Sequence, residues 1–391
     1  MKVLGMISGT SHDGIDVAVV DFSSHESALT GTLLHSQSTP YDDSLRQRLI
    51  DALPPAQTTF AEMCELDTLI GQEFAAAAQQ TIAAVGEVDF ICSHGQTVFH
   101  WVNNDSALGT LQIGKPAWIA AATNTPVVSD VRIRDITLGG HGAPLVSILD
   151  QMLLNSLPGK PAALNMGGIS NMTVLGAETP PLAYDVGPAN ALIDAVISQR
   201  GLHPAGYDHD GEIASAGTVN SELLNALLSE PYYDLPAPKS TGKELFHGQY
   251  LADALSRLES PIDDVDLVAT LTELTVQTVA RDVKKHGVTH LVVSGGGSHN
   301  PVIMDGLRAQ LPGVDVVLSE DFGAPVDDKE AIAFALIGWL TAHGLPGTIP
   351  SATGASAASV LGTITPGAGP LALPTPGIES PTEVKFVDSR D

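Results

Sequence analysis

"GMISGTSHDGIDVAVVDF", Gly5 to Phe22, places two apolar, β-rich runs on either side of a short segment of Ser, Gly, Thr and Asp. Asp13-Gly14 between such runs is a strong hairpin signal. The same glycines and hydroxyls also suit a loop that lets main-chain N–H groups approach a phosphate. Within these residues both readings stand. The second half of the chain repeats the device, because "PAALNMGGISNMTVLG" (161–176) is again strand, polar glycine turn, strand. Two halves that open alike imply a duplicated α/β unit, with a cleft between the copies and a ligand where the turns converge.

Working outward, strands are expected at about 2–7 and 15–22, then helices at about 44–53 and 60–85. "VDFICSHG", "LGTLQIG" and "TPVVSDV" read as strands, with "KPAWIAAATN" a helix among them and "GAPLVSILDQMLLNSL" a helix leading onward. In the second half, "LAYDVGP" and "HLVVSGGG" read as strands, and helices are expected over about 190–201, 264–287 and 328–343. The proline-rich segment after Thr365 is expected to be irregular or loosely docked.

The 391 residues carry 45 acidic against 18 basic side chains, a net charge of −27. Nucleic acid and anionic membrane surfaces are thereby disfavoured as partners, since binding to them needs clustered Lys and Arg. No apolar run is long enough to span a bilayer, and the N-terminus turns polar too early for a signal peptide. Cys64 and Cys92 lack metal-site spacing and read as buried free thiols, which fits a reducing cytoplasm. A nucleotide ligand would meet a repulsive field, so loop N–H groups and a metal ion would have to offset it.

Three strands run directly into glycine: at Gly9–Gly14, at Gly167-Gly168 and at Gly295-Gly296-Gly297. After the third, Asn300 and Pro301 sit where a helix would begin. Phosphoryl transfer needs phosphate cradles, a divalent metal and a carboxylate near the acceptor. Asp13, Asp16, Asp130 and Asp185 stand at strand ends, and Asp185 is followed by Gly187 and Pro188, so a turn or capping role is the competing reading. Lys239, Ser240 and Thr241 suit either a phosphate or a helix N-cap. His94 and His100 have no evident third metal ligand and read as core or turn histidines.

From Gly5 to about Gly362 the chain resembles the anhydro-N-acetylmuramic acid kinases, of the sugar kinase/Hsp70/actin superfamily. The resemblance rests on "SGTSHDGID", "SHGQTVFH", "LQIG", "VVSDVRIRD", "GGHGAPLV", "NMGGISNMT", "YDVGPANALID", "YDHDGEIASAG", "PKSTGKELF", "SGGGSHNP", "KEAIAFALIG" and "TGASAASVLG", in that order. It implies two ribonuclease H-like domains, expected at 1–126 and 127–365 with a tail at 366–391, and ATP and sugar meeting in the interdomain cleft. Gly9, Thr10, Ser11, His12, Asp13, Gly14, Ile15 and Asp16 are similar to the family's first phosphate loop, with Asp13 or Asp16 facing Mg²⁺. Gly167, Gly168 and Asn171 resemble the second phosphate loop. Gly295, Gly296, Gly297 and Asn300 resemble the adenosine loop, and Lys239 joins the nucleotide set. His94, Gln96, Asp130, Arg132, Gly187 and Asn190 are implied on the sugar side, Asp185 as the base and Glu330 as a second acid. A homodimer is implied as well.

A 1,6-anhydro sugar has no free 6-hydroxyl, so Asp185 is expected to activate water against the anomeric carbon while O6 takes the γ-phosphoryl group, giving N-acetylmuramic acid 6-phosphate. The chain departs from the family pattern at Ala121 and Ala122 (usually an acidic-basic pair), Asn124 (usually glycine), Val131 (usually aromatic) and His141 (usually glutamine). The segment "LVSILD" also replaces a more polar ending that begins at a proline. These changes fall in the segment assigned to sugar recognition. The rival readings are a kinase of another anhydro sugar, such as levoglucosan, and a catalytically silent nucleotide-binding protein.

Overall fold

A computed structural model describes residues 1–391 except 10–11, 26, 104–105, 177–178, 238, 242–244, 375–378 and 389–391. The strands in chain order begin with β1 (Lys2–Ser8), β2 (Gly14–His25), β3 (Ala28–Pro40), β4 (Phe90–Asn103), β5 (Ser106–Ile113) and β6 (Val127–Ser129). They continue as β7 (Pro161–Met166), β8 (Ile169–Val174), β9 (Leu182–Pro188), β10 (His290–Ser294), β11 (Asp315–Leu318), β12 (Thr363–Thr365) and β13 (Glu383–Asp388).

The chain forms two units, 1–156 with 322–324 and 328–391, and 157–321 with 325–327. In the first, the sheet order is β12-β6-β4-β1-β2-β3-β13, with β5 paired to β4. In the second it is β11-β10-β7-β8-β9. The central five strands match: β3-β2-β1-β4-β6 and β9-β8-β7-β10-β11 each place an antiparallel three-strand meander beside two parallel strands. The duplication read from the two glycine turns is therefore a duplication of sheet topology.

Both faces of the first sheet are covered, which is why β1 and β2 are nearly continuous apolar runs. Val3, Ile7, Ala18, Val20 and Phe22 enter one core, whereas Leu4, Met6, Ile15, Val17 and Val19 enter the other. The first core is closed by the helix Lys329–Ala342, buried over nearly its whole length. A Cβ on Gly5 would lie 2.0 Å from the Ala331 carbonyl oxygen, so glycine lets this helix press directly on β1. The helix Phe60–Val85 closes the other core, with Thr59 capping the Glu62 N–H.

Four expectations change. The break expected at residue 126 lies inside the first unit, because β6 pairs in parallel with β4. Residues 328–391 return to that unit rather than staying with the second. The tail is docked in part: β13 pairs in parallel with β3, and Val384 and Phe386 are buried in the first core. Of the two thiols Cys92 is buried and Cys64 exposed. Among the described residues, no helix is long and apolar enough to cross a membrane.

Candidate active site

Sequence-predicted residues gather at the strand ends of each unit. In the first, β1 ends at Ser8 and β2 begins at Gly14, with Ile7 opposite Asp16 as the last pair before the turn. Thr10 and Ser11 lie outside the described residues. The Ser8 hydroxyl lies 2.6 Å from both the Gly14 carbonyl and Gln96 Oε1, its one proton shared between them. Gln96 Nε2 donates to the Gly9 carbonyl at 3.1 Å, and Arg46 Nε donates to that of His12 at 2.9 Å. His12 takes a left-handed φ of 55°, and Ile15 is buried in the core. Ile15 therefore supports the turn from beneath, a correction to its placement in the nucleotide-binding span.

His94 and Gln96 are corrected in the same way. Gln96 has no exposed surface and His94 is 3% exposed, so their reach toward a ligand is indirect. Arg132 Nε donates to His94 Nε2 at 2.7 Å. Because guanidinium can only donate, Nε2 is the acceptor and Nδ1, 2.9 Å from the Gly95 carbonyl, carries the proton. Burial, reinforced by Arg132, holds His94 well below the ordinary histidine value. The imidazole is thus a neutral prop that aims Arg132, which also donates to the Gly142 carbonyl at 2.6 Å.

Burial lowers Arg132 itself to about 10, against the opposing pull of Glu330. The protein crowded around Glu330 raises its carboxyl and Asp16 adds to the rise, while Arg132 and Lys329 oppose it; the side chain still reaches solvent. Asp130, exposed at the end of β6, has a left-handed φ of 54°, a conformation uncommon outside glycine that Asp tolerates, and its pKa is raised by the surrounding protein. Tyr41 was missed by sequence reasoning. Its N–H donates to the Asp13 carbonyl at 3.0 Å, and its buried hydroxyl is raised by burial and by Glu73, Asp13 and Asp16. No motif surrounds it, and only the pairing of β3 with β2 brings it there.

The negative charge collected around the first turn suits a divalent cation. Among the described residues no group of three His, Cys, Asp or Glu side chains could hold a metal by itself. Mg²⁺ is commonly held by one or two carboxylates together with waters and substrate phosphates, and Asp13 and Asp16 fit that mode.

In the second unit the turn Gly167-Gly168 is held by main chain. The N–H of Asn190 donates to the Gly167 carbonyl, and those of Ala189 and Ala191 to Gly168, each at 3.0 Å. Asn190 Nδ2 reaches the Met166 carbonyl and lies near Gly297. Gly295 has φ 81°, and a Cβ there would lie 2.5 Å from Asn165 Oδ1, so glycine is required where this loop passes β7. Asn300 caps the helix Pro301–Gln310 through the N–H groups of Val302 and Ile303. These elements and the segment 207–210 enclose a cavity of about 430 Å³, lined by Asn190, Tyr207, His209, Gly296, His299 and Asn300 among others.

Asp185 lies in β9 opposite Asn171, and its Oδ2 accepts from Ser240 Oγ and the Thr241 N–H, both at 2.9 Å. Gly187 is buried strand, its carbonyl taken by Ser170 and its Cα packed against Tyr233. Lys239 is a correction. Its ammonium donates to the carbonyls of Tyr232 and Tyr233 at 3.1 and 3.3 Å and sits 4.5 Å from the Tyr232 ring. Two of its three donors thus brace a loop of the protein itself.

Two of the departures have structural causes. Asn124 has φ 58° at the C-terminal cap of the helix Pro116–Thr123, the position glycine usually fills and asparagine fills next best. Val131 is core, 1% exposed. "LVSILD" ends in Asp150, which forms a buried ion pair with Lys329 at 2.5 Å. His141 is half-buried and lies close enough to His100 to act on its charge.

Two matching meander sheets, each opening on a glycine-rich hairpin turn, define a duplicated α/β fold. The family model for anhydro-N-acetylmuramic acid kinase matches residues 1–367. The chain belongs to that family, and it is a kinase. It is 51% identical over 389 residues to the anhydro-N-acetylmuramic acid kinase of Streptomyces coelicolor, covering 99% of each chain. Identity to the kinase of the same name from Rhodococcus erythropolis is 51% over 376 residues, 94% of each, and to that from Streptomyces avermitilis 48% over 388 residues, 98% of this chain and 99% of the other.

Proposed function

We propose that this chain uses ATP to phosphorylate 1,6-anhydro-N-acetylmuramic acid while water opens the anhydro ring, yielding N-acetylmuramic acid 6-phosphate during cell-wall recycling in the cytoplasm. Asp185 accepts a proton from water, whose oxygen bonds to C1 as the C1–O6 bond breaks. O6 takes the γ-phosphoryl group, the bond from γ-phosphorus to the bridging oxygen breaks, and ADP leaves. The observation that carries the reading is the Asp185 carboxylate, fixed by two donors beside the turn Gly167-Gly168 in a chain of this family.

The N–H groups of the turns at Gly9–Asp16 and Gly167-Gly168, with Asn171, serve the phosphates. The cavity bounded by Gly295–Gly297 and Asn300 takes the adenosine, consistent with its volume and mixed lining. Asp13 and Asp16 would hold Mg²⁺, which when bound offsets phosphate charge that a −27 chain otherwise repels. Arg132 and Asp130 serve the sugar, Asn190, expected on the sugar side, instead lines the cavity given to adenosine, and Glu330 is the second acid.

Two measurements test this. Asp185→Asn should retain ATP binding by calorimetry while ADP release falls at least ~10²-fold, and near-normal turnover would remove Asp185 from the mechanism. Turnover should favour the muramic compound over levoglucosan. Equal or faster levoglucosan turnover would overturn the substrate assignment.

A further inference from the structure

The segment Lys239–Thr241 suited either a phosphate or a helix cap in the sequence, and in the structure its polar groups meet β9 and the carbonyls of Tyr232 and Tyr233. The Asp185 N–H donates to the Lys239 carbonyl at 3.0 Å, which stitches the segment to β9. Ser240 Oγ and the Thr241 N–H then converge on one carboxylate oxygen, Asp185 Oδ2. From the other side, the Tyr232 hydroxyl donates to the Asp185 carbonyl at 2.7 Å. Lys239 fastens the base of the segment to the carbonyls of Tyr232 and Tyr233.

An aspartate side chain in a strand can otherwise turn about two side-chain torsions. Two donors on the same oxygen fix both torsions and set the carboxylate plane before substrate arrives, so the ordering cost is met in advance. We propose that Ser240 is a positioning residue, with Thr241 as its main-chain partner, that clamps Asp185 in the orientation needed to take the proton from water. This rests on the reading of Asp185 as the base. Ser240 is exposed, so truncating it removes the clamp without opening the core.

The test uses the full chain with ATP and 1,6-anhydro-N-acetylmuramic acid. Ser240→Ala should lower kcat about tenfold or more while the KM for ATP and the melting temperature stay near wild type, and Ser240→Thr should restore most of the loss. Added to Asp185→Asn, Ser240→Ala should cost nothing further, because both act through one group. An unchanged kcat in Ser240→Ala overturns the clamp. So does a raised KM for ATP with kcat kept, which would make the segment a phosphate grip, and so does an additive loss in the double variant. If Asp185→Asn is inactive while Ser240→Ala is normal, the clamp alone fails. If Asp185→Asn itself turns over normally, the base assignment fails and the clamp with it.

Discussion

The turn between β1 and β2 and the turn between β7 and β8 occupy the same place in matching sheets, yet they are held by different means. Carbonyls of the first are met by side chains from elsewhere in the unit: Ser8 on Gly14, Gln96 on Gly9, Arg46 on His12. Carbonyls of the second are met by three successive N–H groups, Ala189 to Ala191, at the start of the helix Asn190–Arg200. The first is a side-chain scaffold that single substitutions can loosen. The second is a main-chain scaffold, whose geometry survives most changes of side chain. Duplication copied the strand order and left each copy to find its own way of fixing the loop.

The sharpest way to break this contrast is to attack the first unit where it depends most on buried charge. Lys329 and Asp150 are 4% and 6% exposed and lie 2.5 Å apart. Lys329→Met should destabilise the protein by about 3–5 kcal/mol in chemical denaturation, and adding Asp150→Leu should recover most of that. A cost below ~1 kcal/mol would show that the pair is not a support of this unit.

A smaller effect is expected at the turns themselves. Gln96→Leu removes the partners of Ser8 and Gly9 and should cost about 1–3 kcal/mol, with a raised KM for ATP. Asn171→Ala in the second unit should leave stability nearly unchanged, whatever it does to turnover. Equal losses of stability would erase the distinction between the two scaffolds.

The smallest effect is one of pH. His94 has a folded value held well below its ordinary 6.5, so an unfolded chain takes up a proton there that the folded chain refuses. Its contribution is therefore present above about pH 6.5 and is lost as pH falls below it, by up to ~1.4 kcal/mol per pH unit. His100, His286 and His343 are shifted in the same direction, so the measurement is a difference. His94→Gln should have a shallower loss of denaturation midpoint between about pH 6.5 and 5 than the wild type. Parallel slopes would show that His94 is not neutral in the fold.

Much of the scaffold was legible because β1, β2, β7 and β8 bury apolar residues on closely spaced positions and turn on glycine. The strand β3 was not, since Ser36, Gln37 and Ser38 are half-buried or exposed and give no apolar alternation. β13 was hidden by the prolines before it, although Val384 and Phe386 supply a buried face. At the site, the glycine turns and Asp185 could be singled out by residue type and position. The roles of Gln96, His94 and Lys239 could not, because whether a polar side chain meets a ligand or props a neighbour depends on its burial and on which atoms converge on it. Asn124 and Val131 teach the same lesson in reverse: they look like altered recognition and are a cap and a core residue.

The return of residues 328–391 to the first unit also dictates an order of events during synthesis. The main body of the second unit, 157–321, is continuous and can be complete while the last strand of the first is still being made. Until Glu383–Asp388 leaves the ribosome, the outer edge of β3 has no partner, and until the helix Lys329–Ala342 emerges, the face of β1 at Gly5 is bare. With elongation at roughly 5–20 residues per second, the half of the protein that begins first is the half that finishes last.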